Sequence, residues 1–349
     1  MAGEISTKDN SPRSRIILGC MTFGPNPESG ARVNDLETYK SVLTHFHSRN
    51  YHELDTARTY CAGEQEAFTA AAISGANLHF KLATKLYPNV PRTHTPESIR
   101  EKVLLSLKQL GVEKVDIWYL HAPDRSIPFS VTLKAVDELY KEGRFGMLGL
   151  SNYTAFEVAE IVTLCKERGW VRPKIYQGMY NAITRALESE LLVACRRYGL
   201  DVVVYNPLAG GFFTGKYQAT TPPATGRFSN VNPQQGAMYR DRYFQDHYFT
   251  ALKLIEPVVA KHNLTMAETA LRWLVHHSAL KIKDGNDGII IGVSSLDQLK
   301  QNLDAAEKGP LPEEVVEVLD TAWAEVKGRG PNYWHLKLEY TYSFDDADA

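Results

Sequence analysis

The chain of 349 residues has a formal net charge of −2, so no excess of basic residues favours nucleic acid or an anionic membrane surface. Hydrophobic residues make up 44% and charged residues 23%, which is typical of a globular protein with a large core. The first residues lack the apolar segment of a secretory signal, and no apolar run approaches the roughly 18 residues that a membrane span requires. We therefore expect a cytoplasmic protein.

The four cysteines, Cys20, Cys61, Cys165 and Cys195, are widely separated and form no C-x-x-C pair. This spacing fits neither a zinc site nor a disulfide framework. We expect reduced thiols and no metal site.

Taken in chain order, short β-type runs alternate with segments of helical periodicity after a solvated tail at 1–14. Thr95, Pro96 and Gly111 illustrate the helix signals, since they supply an N-cap, a first-turn proline and a terminating glycine. A polar segment rich in Pro and Gly at about 215–240 is predicted to be a long loop insertion. Strands are predicted at 15–20, 51–55, 79–84, 115–120, 147–150, 174–177, 201–205 and 288–293. Helices are predicted at 35–48, 63–73, 96–110, 130–142, 154–168, 187–198, 247–262, 266–277, 295–305 and 312–326.

Strands that alternate with helices indicate a parallel sheet. Eight such units fit a single closed (β/α)8 TIM barrel, which takes about 250 residues before insertions. The competing fold is a doubly wound open sheet with a dinucleotide fingerprint, but the sequence contains no G-x-G-x-x-G. We predict an α/β protein with one barrel at 15–327, the loop insertion before the last strand, and a C-terminal tail at 328–349.

Polar residues gather at the ends of three consecutive predicted strands. Asp55 ends one strand and Tyr60 follows it, while Lys85 and His121 close the next two. Each alone has an ordinary explanation, as a turn former, a surface charge or a loop residue. Together they would meet at the carboxyl-terminal rim of the predicted barrel, which is where enzymes with this fold have their active sites. A tyrosine that releases a proton near neutral pH needs a cation beside it, because its ordinary pKa is about 10.

Several segments, in the same order, resemble the aldo-keto reductase superfamily, and most of all its aflatoxin-aldehyde and succinic-semialdehyde reductases. The resemblance covers roughly residues 15–335. The segments are D-T-A-R-T-Y at 55–60, A-T-K at 83–85, Y-L-H-A-P-D at 119–124, G-L-S-N-Y at 149–153, Y-Q-G-M-Y-N at 176–181 and V-Y-N-P-L-A-G-G-F-F-T-G-K-Y at 204–217.

The resemblance implies hydride transfer from NADPH to a carbonyl group, with Tyr60 as the proton donor. Lys85 would lower the pKa of Tyr60, and Asp55 would pair with Lys85. His121 would hydrogen-bond the carbonyl oxygen and orient the substrate. This is general acid catalysis in a preorganised polar pocket.

The resemblance also assigns the cofactor residues. Ser151, Asn152 and Gln177 would face the nicotinamide carboxamide, and Tyr205 would stack on the ring. The alternatives are a helix N-cap at Ser151 and Asn152 and a core aromatic at Tyr205. The full set implied for the nicotinamide and the pyrophosphate is Asp55, Ser151, Asn152, Gln177, Tyr205, Asn206, Pro207, Leu208, Gly210, Gly211, Gly215 and Lys216.

The segment after the last predicted strand resembles the loop and helix that hold the adenosine 2′-phosphate. Many members of the family place Lys and Arg there, whereas this chain has Val293 and Gln298. A helix N-terminus and two hydroxyls still suit a phosphate, and Arg227 in the insertion would add a cation. We therefore expect NADPH/NADP+ as the cofactor. The residues implied here are Arg227, Gly292, Ser294, Ser295, Gln298 and Asn302.

The resemblance places Tyr239 and Arg242 near the substrate mouth, together with His121 and the C-terminal tail. Arg242 would suit a carboxylate, although pairing with Asp241 or Asp246 on an exposed helix is equally compatible with the sequence. Animal relatives end near P-N-Y-F-R, whereas P-N-Y-W-H here puts His335 in the place of the arginine. A mostly neutral histidine would weaken any second contact to an acid. We expect broad reduction of uncharged aromatic or dicarbonyl aldehydes, with little advantage for succinic semialdehyde at neutral pH.

Two other functions stay open at this point. A regulatory cofactor-binding subunit, as in potassium-channel β-subunits, can keep the same four residues, and the same site can work as an alcohol dehydrogenase. The partner expected in each enzyme case is a small-molecule carbonyl or alcohol, and a homodimer is possible. Oxidation of NADPH and NADH against a panel of aldehydes separates the enzyme from the binding subunit.

Overall fold

The computed structural model describes residues 14–76, 78–217 and 221–343. Most of the predicted tail at 1–14, three residues of the insertion at 218–220 and the last residues at 344–349 lie outside these ranges. Eight parallel strands close into a barrel in chain order, with the last strand paired to the first. The predicted (β/α)8 barrel is confirmed. The strands are β1 (Arg15–Gly19), β2 (Glu53–Asp55), β3 (Lys81–Leu86), β4 (Val115–Leu120), β5 (Phe145–Ser151), β6 (Ile175–Met179), β7 (Asp201–Tyr205) and β8 (Gly288–Gly292).

Helices cover the outside of the barrel. Within the described residues, none of them is long and apolar enough to cross a membrane. The helices are α1 (Leu36–Ser48), α2 (Gln65–Ile73), α3 (Pro96–Leu110), α4 (Phe129–Lys141), α5 (Ala155–Arg168), α6 (Leu191–Tyr198), α7 (Pro233–Tyr243), α8 (Asp246–Lys261), α9 (Met266–His276), α10 (Leu296–Ala306) and α11 (Glu313–Val326).

Helix α3 shows how local signals and packing agree. The side chain of Thr95 accepts a hydrogen bond from the backbone N–H of Ser98, and Gly111 ends the helix in a left-handed conformation with φ 69°. Residues spaced by three or four positions turn inward against the sheet, and each fully buried side chain of this size contributes about 1.5–3 kcal/mol. The large apolar residues buried on this face are Ile99, Val103, Leu107 and Leu110.

Helix α7 lies in the segment that was predicted to be a long loop, so that part of the prediction is wrong. The side chain of Asn232 caps its first turn by accepting from the backbone N–H of Gln235 at 3.1 Å. The helix was missed because its surface is largely polar and only a few positions, including Tyr239 and Tyr243, are buried. These inward-facing tyrosines bring α7 against the barrel rim.

The interior of the barrel is filled with packed side chains, which close the barrel below its carboxyl-terminal rim. The ring of Tyr119 lies across the barrel, only 2.2 Å from where a Cβ on Gly149 would be, so β5 needs glycine there. This packed layer supports the polar residues at the carboxyl-terminal ends of the strands. The inner layer consists of Ile17, Ala83, Ile117, Tyr119, Ile175, Val203 and Ile290.

Candidate active site

A cavity of about 1170 Å³ opens at the carboxyl-terminal ends of the strands. Its walls come from the strand ends, the loop between β1 and α1, the insertion with α7, the start of α10 and the C-terminal segment. A cavity of this size suits a large cofactor together with a small substrate. The sequence-predicted site residues that line it are Asp55, Tyr60, His121, Asn152, Gln177, Tyr205, Asn206, Pro207, Leu208, Gly210, Gly211, Lys216, Arg227, Tyr239, Arg242, Gly292, Ser294, Gln298 and Asn302.

The other four predicted site residues lie behind this surface. Lys85 is buried beneath Asp55, and Ser151 is fully buried with its hydroxyl accepting a hydrogen bond from Asn152. Gly215 ends the short 3-10 helix at Ala209–Thr214 with φ 72°. Ser295 is the N-cap of α10. These residues support the walls of the cavity from behind.

Lys85 and Asp55 form a buried ion pair at the centre of the rim. The Lys85 Nζ donates to Asp55 Oδ2 at 2.6 Å and to the carbonyl oxygen of Thr56 at 2.8 Å. The second carboxylate oxygen of Asp55 accepts from the side-chain amide of Gln177 at 2.8 Å. Burial lowers the pKa of Lys85, while the negative charge of Asp55 opposes this change. The pairing expected from the sequence is therefore present.

Tyr60 lies directly above this pair, with its ring centroid 5.1 Å from Lys85 Nζ. Burial, followed by the negative charge of Asp55, raises the pKa of Tyr60 well above its ordinary value. This is opposite to the lowered pKa that was expected beside Lys85, because burial, and after it the negative charge of Asp55, disfavours the phenolate. The phenol is therefore protonated throughout the neutral pH range, which is the state that a proton donor needs.

The backbone after Tyr60 is unusual. Cys61, Ala62 and Gly63 have φ values of 47°, 54° and 90°, so three consecutive residues are left-handed. For the two residues with side chains, this conformation costs roughly 1–2 kcal/mol each. No signal in the sequence marks this turn, and the surrounding structure has to hold it.

His121 faces Tyr60 across the cavity, with 6.1 Å between the ring centroids and a nearly perpendicular arrangement. Its backbone N–H donates to the carbonyl oxygen of Leu86 at 3.0 Å, which fixes the start of its loop. Burial and then the charge of Lys85 lower the pKa of His121 well below its ordinary value. Among the described residues, its buried Nδ1 has no hydrogen-bond partner. A neutral imidazole with a free nitrogen suits a ligand oxygen or hydroxyl.

Asn152 links the centre of the site to Tyr205. Its side-chain amide donates to the carbonyl oxygen of His121 at 2.8 Å, and its Oδ1 accepts from the Tyr205 hydroxyl at 2.7 Å. The alternative that Ser151 and Asn152 cap a helix is wrong, because Thr154 is the N-cap of α5.

Two glycines leave open space on the cavity wall. A Cβ on Gly211, where φ is 100°, or on Gly292 would have no atom within 4 Å. A flat or phosphate-bearing ligand can approach the backbone closely at both positions. Gly210 serves a different purpose, since a Cβ there would lie 2.6 Å from the Tyr239 ring.

Cations dominate one wall of the cavity. Arg32, Lys216, Arg227 and Arg242 line it, whereas the only carboxylate among the described lining residues is Asp55, which Lys85 already pairs. Burial lowers the pKa of Arg32 to about 10, and the charge of Arg227 adds to this shift. Two guanidiniums that repel each other, with no ion pair to an acid among the described residues, suit the binding of an anion. Sequence reasoning missed Arg32, because a single arginine in a loop carries no local signal.

The hydrogen-bonding groups at the start of α10 find their partners within the protein. The backbone N–H and hydroxyl of Ser294 both donate to Gln298 Oε1, at 2.9 and 3.0 Å. The Ser295 hydroxyl accepts from the backbone N–H of Gln298 at 3.2 Å. Gln298 therefore folds over the helix N-terminus.

Arg242 contacts His335, not an acid. Its Nη2 lies 3.2 Å from His335 Nε2, and its guanidinium stacks over the Tyr239 ring at 5.7 Å. Arg242 lines the cavity and forms no ion pair with Asp241 or Asp246 in the described structure, so the exposed-helix alternative is wrong. Arg242 faces the cavity.

The C-terminal segment brings His335 into the site. Its backbone N–H donates to the carbonyl oxygen of Asn152 at 3.1 Å. Its own carbonyl oxygen accepts from Arg125, which forms a buried ion pair with Glu157. Burial, with a further contribution from Arg242, lowers the pKa of His335 to about 3. The His335 ring is therefore neutral in the pH range around 7.

A closed parallel barrel with titratable side chains gathered around a large cavity at its carboxyl-terminal rim is the arrangement of (β/α)8-barrel enzymes. A sequence model of the aldo/keto reductase family matches residues 15–324, and the chain belongs to this family. The resemblance seen in the sequence is confirmed. Membership makes the chain an oxidoreductase of a family that uses nicotinamide cofactors.

Three relatives illustrate the similarity. Aflatoxin B1 aldehyde reductase member 2 of Mus musculus is 42% identical over 332 residues, which cover 92% of this chain and 88% of that protein. Aldo-keto reductase family 7 member A3 of Homo sapiens is also 42% identical, with 92% and 97% covered. Aldo-keto reductase pigE of Monascus ruber is 40% identical over 347 residues, with 95% and 100% covered.

Proposed function

We propose that the protein is an NADPH-dependent reductase of aldehydes, with ketones and dicarbonyls as related substrates, and that Tyr60 is the proton donor. The observation that carries the proposal is the arrangement of Tyr60 between the buried Lys85–Asp55 pair and the neutral ring of His121. The names of the aflatoxin B1 aldehyde reductases support the substrate class.

When bound, NADPH supplies the hydride that reduces the carbonyl carbon. Tyr60 donates its phenolic proton to the carbonyl oxygen as negative charge develops there. The high pKa of Tyr60 keeps this proton available, and the adjacent Lys85 ammonium stabilises the phenolate that remains. Asp55 holds that ammonium in place.

His121 orients the substrate in this proposal. One nitrogen of its neutral ring donates to the carbonyl oxygen, so that the oxygen lies between His121 and the Tyr60 hydroxyl. The low pKa of His121 supports this role, because a second cation beside Lys85 would be costly in a buried site.

The cofactor would lie along the cation-rich wall. Tyr205 would stack on the nicotinamide, with Asn152 and Gln177 beside its carboxamide and Ser151 supporting Asn152 from behind. The open faces of Gly211 and Gly292 leave room for the pyrophosphate and the adenosine. Arg32, Lys216 and Arg227 favour a cofactor with an additional phosphate, which supports NADPH over NADH.

The substrate would enter between Arg242, Tyr239 and the C-terminal segment. Since the neutral His335 already accepts from Arg242, this arginine has less capacity for a substrate carboxylate. Uncharged aldehydes are therefore the proposed preference.

Oxidation of NADPH and of NADH, each with a panel of charged and uncharged aldehydes, tests the function directly. We expect turnover with NADPH and an uncharged aldehyde. NADPH binding without turnover of any aldehyde in the panel would instead favour a cofactor-binding subunit.

A further inference from the structure

A second buried ion pair lies next to the turn that follows Tyr60, outside the lining of the cavity. It joins Arg58, whose side chain is 10% exposed, to Glu66, which is fully buried. Thr84 completes this group and is also buried. Removing two charges from water is costly unless their geometry is well satisfied. None of the three side chains lines the cavity in the described structure, so ligand binding does not explain them.

The contacts of Arg58 connect the two ends of the Tyr60 turn. One guanidinium nitrogen pairs with Glu66, and the other donates to the carbonyl oxygen of Gly63. The second nitrogen also donates to the side chain of Gln109 at 3.1 Å. The guanidinium therefore bridges the last residue of the turn and the first turn of α2.

The same group is attached to the strand that carries Lys85. The carboxylate oxygen of Glu66 that does not contact Arg58 accepts from the Thr84 hydroxyl at 2.6 Å. Thr84 directly precedes Lys85 in β3. The backbone N–H of Arg58 donates to the carbonyl oxygen of Lys85 at 3.0 Å. The turn with Tyr60 and the strand with Lys85 are thus held together from behind by two independent connections.

The left-handed turn needs such a restraint. Cys61 and Ala62 have conformations that residues with side chains rarely adopt, so the turn does not hold itself. The guanidinium of Arg58 packs directly on Gly63, where a Cβ would lie 2.8 Å from its nitrogen. Losing this contact lets the turn relax and moves the residue at its start, Tyr60.

We propose that Arg58 and Glu66 are positioning residues that hold the Tyr60 hydroxyl in register with Lys85. The proposal rests on the proposed role of Tyr60 as proton donor. A proton transfer depends strongly on geometry, and a misplacement of about 1 Å can reduce the rate about 100-fold. Arg58 and Glu66 act through Tyr60 and do not touch the substrate.

The variants Arg58→Met, Arg58→Lys and Glu66→Gln test this role in the full-length protein. The measurement is the rate of NADPH oxidation in a single turnover, together with NADPH affinity from fluorescence titration. For Arg58→Met we expect a rate loss of about 100-fold with unchanged NADPH affinity. Arg58→Lys should lose less, because a single ammonium can reach either Glu66 or Gly63 but cannot bridge them like a planar fork.

A double variant separates positioning from a general loss of structure. If Arg58 acts only through the Tyr60 hydroxyl, then Arg58→Met has no further effect on the residual rate of Tyr60→Phe. A loosened fold or a disturbed cofactor site would instead reduce the rate by the same factor in both backgrounds, and this result would overturn the proposal.

Arg196→Met is the matched control. Arg196 forms a comparable pair with the buried Asp287, which directly precedes β8 at the opposite end of the barrel from the cavity. We expect a lower Tm and an unchanged single-turnover rate. If Arg58→Met is too unstable to purify, Arg58→Lys and Glu66→Gln answer the same question with less change in packing. Wild-type rates in these variants, beside an inactive Tyr60→Phe, would refute the positioning role alone. An active Tyr60→Phe would refute the proposed proton donor itself.

Discussion

Two regions of the cavity differ in how their charges are paired. One is the corner at the ends of β2, β3 and β4, which holds the proposed proton donor Tyr60, and the other is the arginine wall formed by Arg32, Arg227 and Arg242. In the corner, Lys85 is paired with Asp55, and Arg58 behind it is paired with Glu66. None of the three wall arginines has a carboxylate partner in the described structure. Arg227 donates to the Tyr239 hydroxyl and Arg242 contacts the neutral His335, while burial and then the charge of Arg227 lower the pKa of Arg32.

This contrast separates two tasks. Paired and buried groups are fixed before a ligand arrives, which suits a proton donor whose position determines the rate. Unpaired guanidiniums gain their partners only when an anion binds, which suits a determinant of affinity. Substitutions in the corner should therefore change the rate, whereas substitutions in the wall should change binding.

The largest effect is expected for Tyr60→Phe, which removes the phenolic proton and keeps the ring. Turnover of an uncharged aldehyde should fall by about 10²–10⁴-fold, because that is the usual contribution of a general acid. NADPH affinity, measured by fluorescence titration, should not change. A variant that keeps more than a tenth of the wild-type single-turnover rate would exclude Tyr60 as the donor.

Lys85→Met should also nearly abolish turnover, because the phenolate would form beside Asp55 without its compensating cation. It leaves a buried carboxylate unpaired, so the variant should also lose stability, by about 3–5 kcal/mol. Denaturant unfolding and single-turnover rates measure the two effects separately. The double variant Asp55→Asn, Lys85→Met should recover stability without recovering the rate. Recovery of both would show that Lys85 has only a structural role.

Arg32→Met and Arg227→Met should weaken NADPH binding by roughly 10- to 100-fold each, since one charge-assisted hydrogen bond is worth about 1.5–3 kcal/mol. The single-turnover rate at saturating NADPH should stay near that of the wild type. NADH binding should change less if the lost contact is to the 2′-phosphate. Lys253→Met on the exposed face of α8 removes the same charge far from the cavity and serves as the control. Equal losses for NADPH and NADH would assign both arginines to the pyrophosphate.

The smallest effect is expected at His335. His335→Arg should raise kcat/KM for succinic semialdehyde relative to an uncharged aldehyde of similar length, by roughly tenfold for one added charged contact. In the unmodified protein this ratio should not change between pH 6 and pH 8. The lowered pKa of about 3 keeps His335 neutral across that interval, and protonation begins only as the pH falls towards 3. A ratio that rises at pH 6 would show that His335 becomes charged in the ligand complex.

The order and type of most elements could be predicted, because each depends on nearby residues. Thr95, Pro96 and Gly111 delimit α3 in the sequence and in the structure alike. Boundaries were less certain. β3 continues to Leu86, so Lys85 lies inside the strand and not at its end, and the sequence has no marker for that difference. Helix α7 was missed because its inward face is narrow and follows a stretch of Pro and Gly.

The sequence by itself determined the barrel and the family, and it singled out Asp55, Tyr60, Lys85 and His121 as the proposed catalytic residues, since regular alternation and short motifs are local properties. Only the tertiary structure decided how these groups titrate, because a pKa depends on burial and on charges from every neighbouring element. That is why the pKa of Tyr60 is raised where a lowered one was expected. Tertiary packing also brought Arg32 to Arg227, since contacts between distant segments leave no pattern in either segment alone.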